Sequence, residues 1–226
     1  MAKTIIVCGY GPGISSAVAE KFGGQGFAVA LVARSAERLA DGVKALEAKG
    51  IKAAAFPTDL SAPAAVKALV GKVREKLGAI SVLHWNAYAT AAGDVLTADA
   101  AALHSIFDIA VTGLLTAIQE ALPDLKAGGS LLVTNGGLLF DDPKVDEMAV
   151  KYNLMGLSIA NAAKHKLVSM LAQKLKADGI YVGEVIVTGS VRGTAFDQDN
   201  ANIDGATVAQ KFWDLHSARK EIVAKV

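Results

Sequence analysis

The sequence has one cysteine, Cys8, among its 226 residues. A single cysteine cannot form an intrachain disulfide, so a small disulfide-rich fold is excluded, and the count is compatible with a reducing compartment. The sequence also lacks an uninterrupted apolar run of about 18 residues, and its N-terminus lacks the pattern of a signal peptide. We therefore predict a cytoplasmic protein without a membrane-spanning segment.

The sequence is equally poor in aromatic residues and in excess charge of either sign. Aromatic residues make up 6%, and 23 basic against 22 acidic residues leave a formal net charge of +1. This balance provides no electrostatic surface for nucleic acid or an anionic membrane. The 52% hydrophobic content, dominated by alanine, is typical of close packing between helices and a sheet. We therefore expect a small-molecule partner, with no nucleic acid or membrane among the partners.

The beginning of the chain carries the most informative pattern. The apolar, β-branched segment Thr4–Cys8 is followed at once by Gly9–Ser15, with the sequence GYGPGIS, and then by a helical pattern. A strand, a glycine-rich turn and a helix start favour a nucleotide-phosphate site, because glycines allow close approach of the backbone and the helix start offers free N–H groups. A glycine-rich turn without a ligand is the alternative interpretation.

Apolar strand-like segments alternate with helical ones along the chain. The predicted strands are Thr4–Cys8, Phe27–Val32, Ile51–Phe56, Ala79–His84, Ser130–Thr134, Ile180–Val187 and Ile222–Val226. The predicted helices are one after the glycine turn, Ala36–Lys49, Ser61–Leu77, Ala98–Leu122, a long helix that follows the polar segment Asp141–Glu147 and ends near Gly179, and Ala206–Ala218. This order predicts an α/β fold, a doubly wound parallel sheet of about seven strands with helices on both faces, in one domain over residues 1–226.

The segment Gly189–Gly205 has no clear hydrophobic period and is rich in aspartate and asparagine. Long loops without a period are either functional covers or plain surface loops. We keep both interpretations, a lid over a substrate and a surface loop.

The order of these motifs resembles the short-chain dehydrogenase/reductase family over nearly the whole chain. The glycine turn is similar to the family's Thr-Gly-x-x-x-Gly-x-Gly, except that Ser15 replaces the last glycine. Asp59-Leu60, Asn86-Ala87 and Gly179–Val182 also match family motifs. The resemblance implies a Rossmann fold and a nicotinamide cofactor. The cofactor-binding residues that it implies are Gly9, Gly11, Gly13, Ile14, Ser15, Arg34, Ser35, Asp59, Leu60, Asn86, Ala87, Thr134 and Gly189.

The residue pair Ala33-Arg34, at the end of the second strand, bears on the choice between NADP(H) and NAD(H). A carboxylate near this position would bind a ribose 2′-hydroxyl, whereas a guanidinium pairs with a 2′-phosphate. We therefore predict NADP(H) as the cofactor. The alternative is a surface arginine that pairs with Glu37 or Asp41.

The family's catalytic tetrad of asparagine, serine, tyrosine and lysine is not found at its usual positions. A gapless count places Ala110, Gly136, Leu157 and Asn161 there. A register that places Lys164 at the family lysine puts Ala160 at the tyrosine, and requires the helix to lose about three residues, most of a turn. Alanine, glycine and leucine side chains cannot transfer protons. The resemblance is therefore to an atypical branch of the family with a degenerate tetrad.

Other polar side chains of the sequence could replace the missing tetrad groups. Tyr88 follows the fourth strand and is the first candidate for a proton donor, and Asn161 is a candidate for binding the ribose hydroxyls. The alternative for Tyr88 is an aromatic wall or a plug in the nicotinamide site. Weaker candidates for the donor are Tyr152, Asp141, Asp142 and Lys164. His84 and His165 have no partners at metal-ligand spacing, so no metal site is predicted.

Two functional hypotheses follow. The first is an NADP(H)-dependent oxidoreductase that reduces a carbonyl or enone with a non-standard proton donor, since the nicotinamide carries the hydride chemistry itself. The second is a non-catalytic nucleotide-binding sensor or partner module that kept the fold. The resemblance also implies a homodimer or homotetramer. The helical stripes that suit such an interface are Leu114, Leu115, Ile118, Leu167, Leu171 and Leu175. The alternative is that the same stripes face the sheet.

Overall fold

A computed structural model describes residues 3–126 and 128–226, so Met1, Ala2 and Ala127 of the predicted domain lie outside the described residues. The strands are β1 (Lys3–Cys8), β2 (Phe27–Ala33), β3 (Ala53–Pro57), β4 (Ile80–Trp85), β5 (Ser130–Gly136), β6 (Tyr181–Val187) and β7 (Val223–Lys225). The helices are α1 (Ile14–Gly23), α2 (Ala36–Glu47), α3 (Pro63–Leu77), α4 (Ala100–Phe107), α5 (Leu114–Leu125), α6 (Pro143–Lys151), α7 (Met155–Leu175) and α8 (Gly205–Ala218).

The strands form one parallel sheet in the order β3-β2-β1-β4-β5-β6-β7. From β1 the chain builds β2 and β3 on one side of β1, and it then crosses to the other side of β1 and adds β4 to β7. The direction in which strands are added therefore reverses between β1 and β4. In open sheets of this type a ligand binds at the carboxyl ends of the strands beside this reversal. The predicted doubly wound parallel sheet is confirmed.

The alternation of side chains along β1 explains why helices cover both faces. Ile5 and Val7 belong to a core cluster with residues of α1, α2 and α8. Ile6 and Cys8 belong to a second cluster with residues of α3, α5 and α7. Because successive side chains of a strand point to opposite faces, an entirely apolar strand requires both faces to be covered.

The long segment before β6 differs from the prediction. The polar residues around Asp141–Glu147, expected to lead into one long helix, begin the separate helix α6, whose N-cap Asp142 accepts from the Lys144 N–H. Asn153 then has a positive φ of 53°, a conformation that an α-helix cannot contain, and α7 begins two residues later. The predicted single helix is therefore two helices.

Helical residues Ala100–Leu125 form the only stretch of the described residues long and apolar enough to cross a membrane by length and composition, with a mean hydropathy of 1.7. Core helices of globular proteins pass the same test. Here Leu114, Ala117 and Ile118 pack into the core beneath the sheet. The Leu114–Leu125 part of the stretch therefore packs against the sheet along one face.

Candidate functional site

The glycine turn after β1 is fixed between its two neighbouring strands. The N–H groups of Gly9 and Tyr10 both donate to the carbonyl oxygen of Val32 in β2, at 3.0 and 2.8 Å. Gly9 has a φ of +82°, and a Cβ placed on it would lie 2.7 Å from the backbone nitrogen of Ala87 after β4. Only glycine satisfies both conditions, so the turn depends on Gly9.

The hydroxyl of Ser15 is used inside the turn. It accepts a hydrogen bond from the Gly11 N–H at 3.0 Å and lies 3.0 Å from the carbonyl oxygen of Gly9, to which it can donate. Ser15 is 1% exposed. The family resemblance places Ser15 among the cofactor-binding residues. In the structure its hydroxyl is bonded to the backbone of the turn, which it holds closed.

The open part of the turn lies at Gly11 and at the start of α1. A Cβ placed on Gly11 would meet no atom within 4 Å. The N-cap Gly13 offers no side-chain hydrogen bond to the helix. The N-terminal N–H groups of a helix carry a partial positive charge and are suited to an anion. This arrangement can hold a phosphate group next to Ile14.

The segment Gly189–Gly205 packs on the other side of the same turn. A Cβ on Gly13 would lie 2.6 Å from the Thr194 methyl group, and a Cβ on Gly205 would lie 2.5 Å from the carbonyl oxygen of Gly13. A parallel bridge between Val191 and Ile203 closes the segment on itself. The segment therefore contacts the glycine turn directly, a placement that its sequence did not indicate.

Arg34 follows β2 and is exposed at the edge of this region. It forms no salt bridge in residues 3–126 and 128–226, so the alternative pairing with Glu37 or Asp41 is not seen there. Its neighbour Ser35 caps α2 by accepting from the Arg38 N–H at 3.2 Å. The guanidinium is therefore available to an anionic ligand.

Asp59 lies on the exposed loop after β3. Its carboxylate accepts from the backbone N–H and the hydroxyl of Ser61, at 3.0 and 2.7 Å. These bonds lower the pKa of Asp59, and the positive charge of Arg34 contributes a smaller effect in the same direction. The carboxylate is therefore held ionised and oriented near the Arg34 charge.

Four other predicted cofactor residues lie at or next to the carboxyl ends of the inner strands. The Asn86 side chain donates to the carbonyl oxygen of Gly9 at 3.4 Å, and Ala87 is buried against Gly9. Thr134 is 8% exposed, and its hydroxyl lies 3.2 Å from Nε2 of the buried His84. Gly189 follows β6 and packs closely against Asn202. The structure thus places the glycine turn, Asn86 and Ala87 together around one strand end.

Ala110, which the sequence count places at the asparagine position of the tetrad, lies in a π-helical turn over Asp108–Gly113 that joins α4 to α5. Such turns insert one residue into a helix and often occur at functional sites. Gly113 closes this turn, and a Cβ on it would overlap the carbonyl oxygen of Leu60. The buried Ala110 packs against Ala160 of α7. The methyl group of Ala110 offers no polar atom to the site.

The other three tetrad positions meet where β5 ends beside the first turns of α7. Leu157 is 6% exposed and Asn161 is 4% exposed. A Cβ placed on Gly136 would lie 3.1 Å from the Nδ2 atom of Asn161. The Asn161 amide therefore lies close to where a serine side chain would begin.

A buried hydrogen-bond network connects the end of β5 to α7 and β6 next to Gly136 and Asn161. Asn135 donates from Nδ2 to the Asn161 carbonyl oxygen at 3.0 Å and to Oε1 of Glu184 at 2.8 Å. Its own Oδ1 accepts from the Gly136 N–H at 3.1 Å. The other Glu184 oxygen is 2.6 Å from Nδ1 of His165. These contacts fix the backbone at Gly136, and none of them was predicted.

Glu184 and Lys164 are ionisable groups in the interior. Glu184 is 0% exposed and Lys164 is 3% exposed. Burial lowers the pKa of Lys164 to about 8, and the Glu184 carboxylate opposes that shift. A glutamate in the otherwise apolar strand Tyr181–Val187 was the available signal, because a buried carboxylate requires partners.

Tyr88 stacks on Phe196 from the segment Gly189–Gly205. The ring centroids are 5.7 Å apart with the planes inclined by 33°. Partial burial raises the pKa of the Tyr88 hydroxyl, which disfavours its ionisation. Tyr152, another donor candidate, caps the C-terminus of α6 and is 58% exposed. The geometry of Tyr88 suits the aromatic-wall interpretation.

Comparisons with known proteins agree with this architecture. A family model described as short chain dehydrogenase matches residues 3–203. An oxidoreductase of Staphylococcus saprophyticus is 27% identical over 186 residues, which cover 81% of this chain and 76% of that protein. Meso-2,3-butanediol dehydrogenase of Serratia marcescens is 32% identical over 166 residues, which cover 72% of this chain and 65% of that protein. The chain thus spans slightly less than two thirds of the butanediol dehydrogenase.

The fold of this chain is also similar to that of a solved structure. A short chain dehydrogenase from Burkholderia cenocepacia, crystallised in complex with NADP, has a TM-score of 0.85 to this chain and is 25% identical. The superposition covers 99% of this chain and 96% of that one. The match of the family model to residues 3–203, together with the shared sheet order and glycine turn, identifies this chain as a member of the short-chain dehydrogenase/reductase family.

Proposed function

We propose that this protein is an NADP(H)-dependent oxidoreductase that reduces a carbonyl or a conjugated double bond of a small molecule. The observation that carries the proposal is the open turn at Gly11 and the start of α1, with the exposed Arg34 nearby. A pyrophosphate fits the first feature and a 2′-phosphate fits the second. NADP in the Burkholderia cenocepacia structure supports this choice.

The residues present fit the cofactor. Ile14 and Gly11 would face the pyrophosphate, Arg34 and Ser35 the 2′-phosphate, and Asp59 and Leu60 the adenine. Asn86, Ala87, Thr134 and Gly189 would line the nicotinamide half, and Asn161 would hydrogen-bond the ribose hydroxyls. When bound, the reduced nicotinamide supplies a hydride. The Tyr88–Phe196 pair would form an aromatic wall beside the nicotinamide half.

We expect an Arg34→Ala substitution to weaken NADPH binding by about ten- to a hundredfold and to leave NADH binding nearly unchanged. The reason is that a charge-assisted hydrogen bond to phosphate contributes about 1.5–3 kcal/mol, and NADH lacks the phosphate. Titration calorimetry of both cofactors measures the two affinities.

Arg74→Ala is the matched control, because Arg74 is engaged with Asp124 at 2.8 Å on α3 and α5, away from the end of β2. It should leave both affinities unchanged. Tighter binding of NADH than of NADPH to the unmodified protein would overturn the cofactor assignment.

Turnover separates the oxidoreductase from the non-catalytic nucleotide-binding module. The measurement is NADPH oxidation against a panel of ketones, aldehydes and enones. Substrate-dependent oxidation above the protein-free rate supports the oxidoreductase. Calorimetric binding of NADPH without oxidation on any panel member would support the module, to which the empty tetrad positions are also suited.

Three further features belong to this proposal. We propose one domain over residues 1–226, a cytoplasmic location, and a homodimer or homotetramer. The exposed apolar side chains Ile159 and Met170 of α7 and Phe107 of α4 support association with a second copy. Each is between 37% and 54% exposed, and burial against a copy would remove these apolar groups from water.

A further inference from the structure

One turn below Asn161, α7 carries a lysine whose side chain lies inside the fold. Lys164 is 3% exposed, and it makes no hydrogen bond and no salt bridge in the part of the chain that the structure describes. Its Nζ is nevertheless not one of the fully buried polar atoms that lack a partner, so the ammonium group keeps some contact with water while the methylene stem is buried. The side chain therefore carries a positive charge from the interior of the fold to a point that water can reach.

The position of Lys164 on α7 relates it to the site. Leu157, Asn161 and Lys164 are spaced by four and three residues, so they lie on one helix face, and all three are buried. Helical side chains lean toward the N-terminus of their helix. The Lys164 side chain therefore extends from about 4.5 Å below Asn161 toward the end of α7 that contacts the tetrad positions.

Glu184 of β6 is the charged group that acts on Lys164. The Glu184 carboxylate is also bonded to Nδ1 of His165 of α7, at 2.6 Å. Glu184 keeps a proton on Lys164, while His165, whose side chain is 37% exposed, connects the carboxylate to solvent.

We propose that Lys164 is the proton source of this site and acts through one water molecule beside the Asn161 amide. This proposal rests on the proposed function above. As hydride reaches the substrate carbon, the carbonyl π electrons move to oxygen. A water O–H bond breaks to protonate that oxygen, and the Lys164 N–H bond breaks to restore the water. The nitrogen keeps its electron pair as a neutral amine and regains a proton from solvent.

Without a bound cofactor, Lys164 already has a pKa suited to proton donation. Its pKa of about 8 lies near neutrality, where a general acid is most effective. NADPH has a neutral nicotinamide and a net negative charge, so its binding should favour the protonated form of Lys164 and raise its pKa. If the pKa of Lys164 rises by one unit from about 8, its protonated fraction at pH 8 goes from about one half to about nine tenths. This corresponds to an uptake of about 0.4 proton per cofactor bound.

The experiment measures this uptake by calorimetry of NADPH binding at pH 8, in two buffers of different ionisation enthalpy. We expect Lys164→Met to reduce the uptake by about 0.4 proton, and the exposed neighbour variant Lys166→Met to retain it. Lys164→Gln is the second variant, and thermal melts establish that each variant is folded. In a substrate assay, Lys164→Met should lower turnover by about a hundredfold or more while NADPH affinity changes only a few fold.

The outcomes separate the two proposals. If the unmodified protein does not bind NADPH, the proposed function fails and this inference fails with it. If NADPH binds but the uptake is the same in folded Lys164→Met or Lys164→Gln, the inference is overturned and the proposed function stands. A loss of turnover in Tyr88→Phe, which keeps the stacked ring, without a loss in Lys164→Met would also overturn it.

Discussion

A Gly9→Ala variant is expected to lose about 2–5 kcal/mol of unfolding free energy. A non-glycine residue at its φ of +82° costs roughly 1–2 kcal/mol. The new Cβ would lie 2.7 Å from the nitrogen and 2.8 Å from the Cα of Ala87, and overpacking of this kind costs roughly 1–3 kcal/mol more. For a chain of this size the midpoint of thermal unfolding should fall by roughly 5–20 °C, measured by circular dichroism.

Gly11→Ala is the matched control within the same turn. A Cβ at Gly11 meets no atom within 4 Å, so stability should stay within about 0.5 kcal/mol of the unmodified protein. The added methyl group would nevertheless stand in the space proposed for the pyrophosphate, and NADPH affinity should fall at least about tenfold. An unchanged melting midpoint in Gly9→Ala, or unchanged NADPH affinity in Gly11→Ala, would contradict the account of the turn.

Removing the buried carboxylate in a Glu184→Ala variant is expected to cost about 3–5 kcal/mol of unfolding free energy. Asn135 would lose its acceptor at 2.8 Å, and His165 would lose its partner at 2.6 Å. Lys164 would lose the carboxylate that holds its proton. Chemical unfolding in urea at pH 7 measures the change, and a thermal midpoint lower by roughly 6–20 °C should accompany it.

Glu20→Ala provides a surface comparison. Glu20 pairs with Lys49 at 2.7 Å, but its side chain is 46% exposed, and such pairs contribute about 0–1 kcal/mol. Glu184→Gln can keep the hydrogen bond from Asn135 while removing the negative charge. Its loss of unfolding free energy should therefore lie between the losses in Glu184→Ala and Glu20→Ala. Equal losses in Glu184→Ala and Glu20→Ala would show that the interior network contributes nothing specific.

The sheet could be predicted from the sequence because its signals are local. The runs Thr4–Cys8 and Phe27–Val32 are apolar without interruption, which is the pattern of strands covered on both faces. The turn Gly9–Gly13 follows the first of them directly, so its position at a strand end required no knowledge of tertiary contacts. The doubly wound parallel arrangement then followed from the general geometry of alternating strands and helices.

The features that escaped prediction depend on contacts between distant residues. Asn135 and Glu184 are 49 positions apart and meet only because β5 and β6 are neighbours. The stacking of Tyr88 on Phe196 joins segments more than 100 residues apart, and no periodicity indicates it. The division of α6 from α7 depends on the positive φ of Asn153, which the helical pattern around it conceals. The cofactor contacts and the donor role of Tyr88 stay predictions.

The close approach of Gly136 to Asn161 ties the two positions to each other. A serine introduced alone at 136 would place its Cβ 3.1 Å from the Asn161 amide, which would have to give way by a few tenths of an ångström in a buried setting. The effects of substitutions at 136 and 161 should therefore not add independently. An engineer who wishes to install a hydroxyl at 136 would have to redesign 161 in the same step.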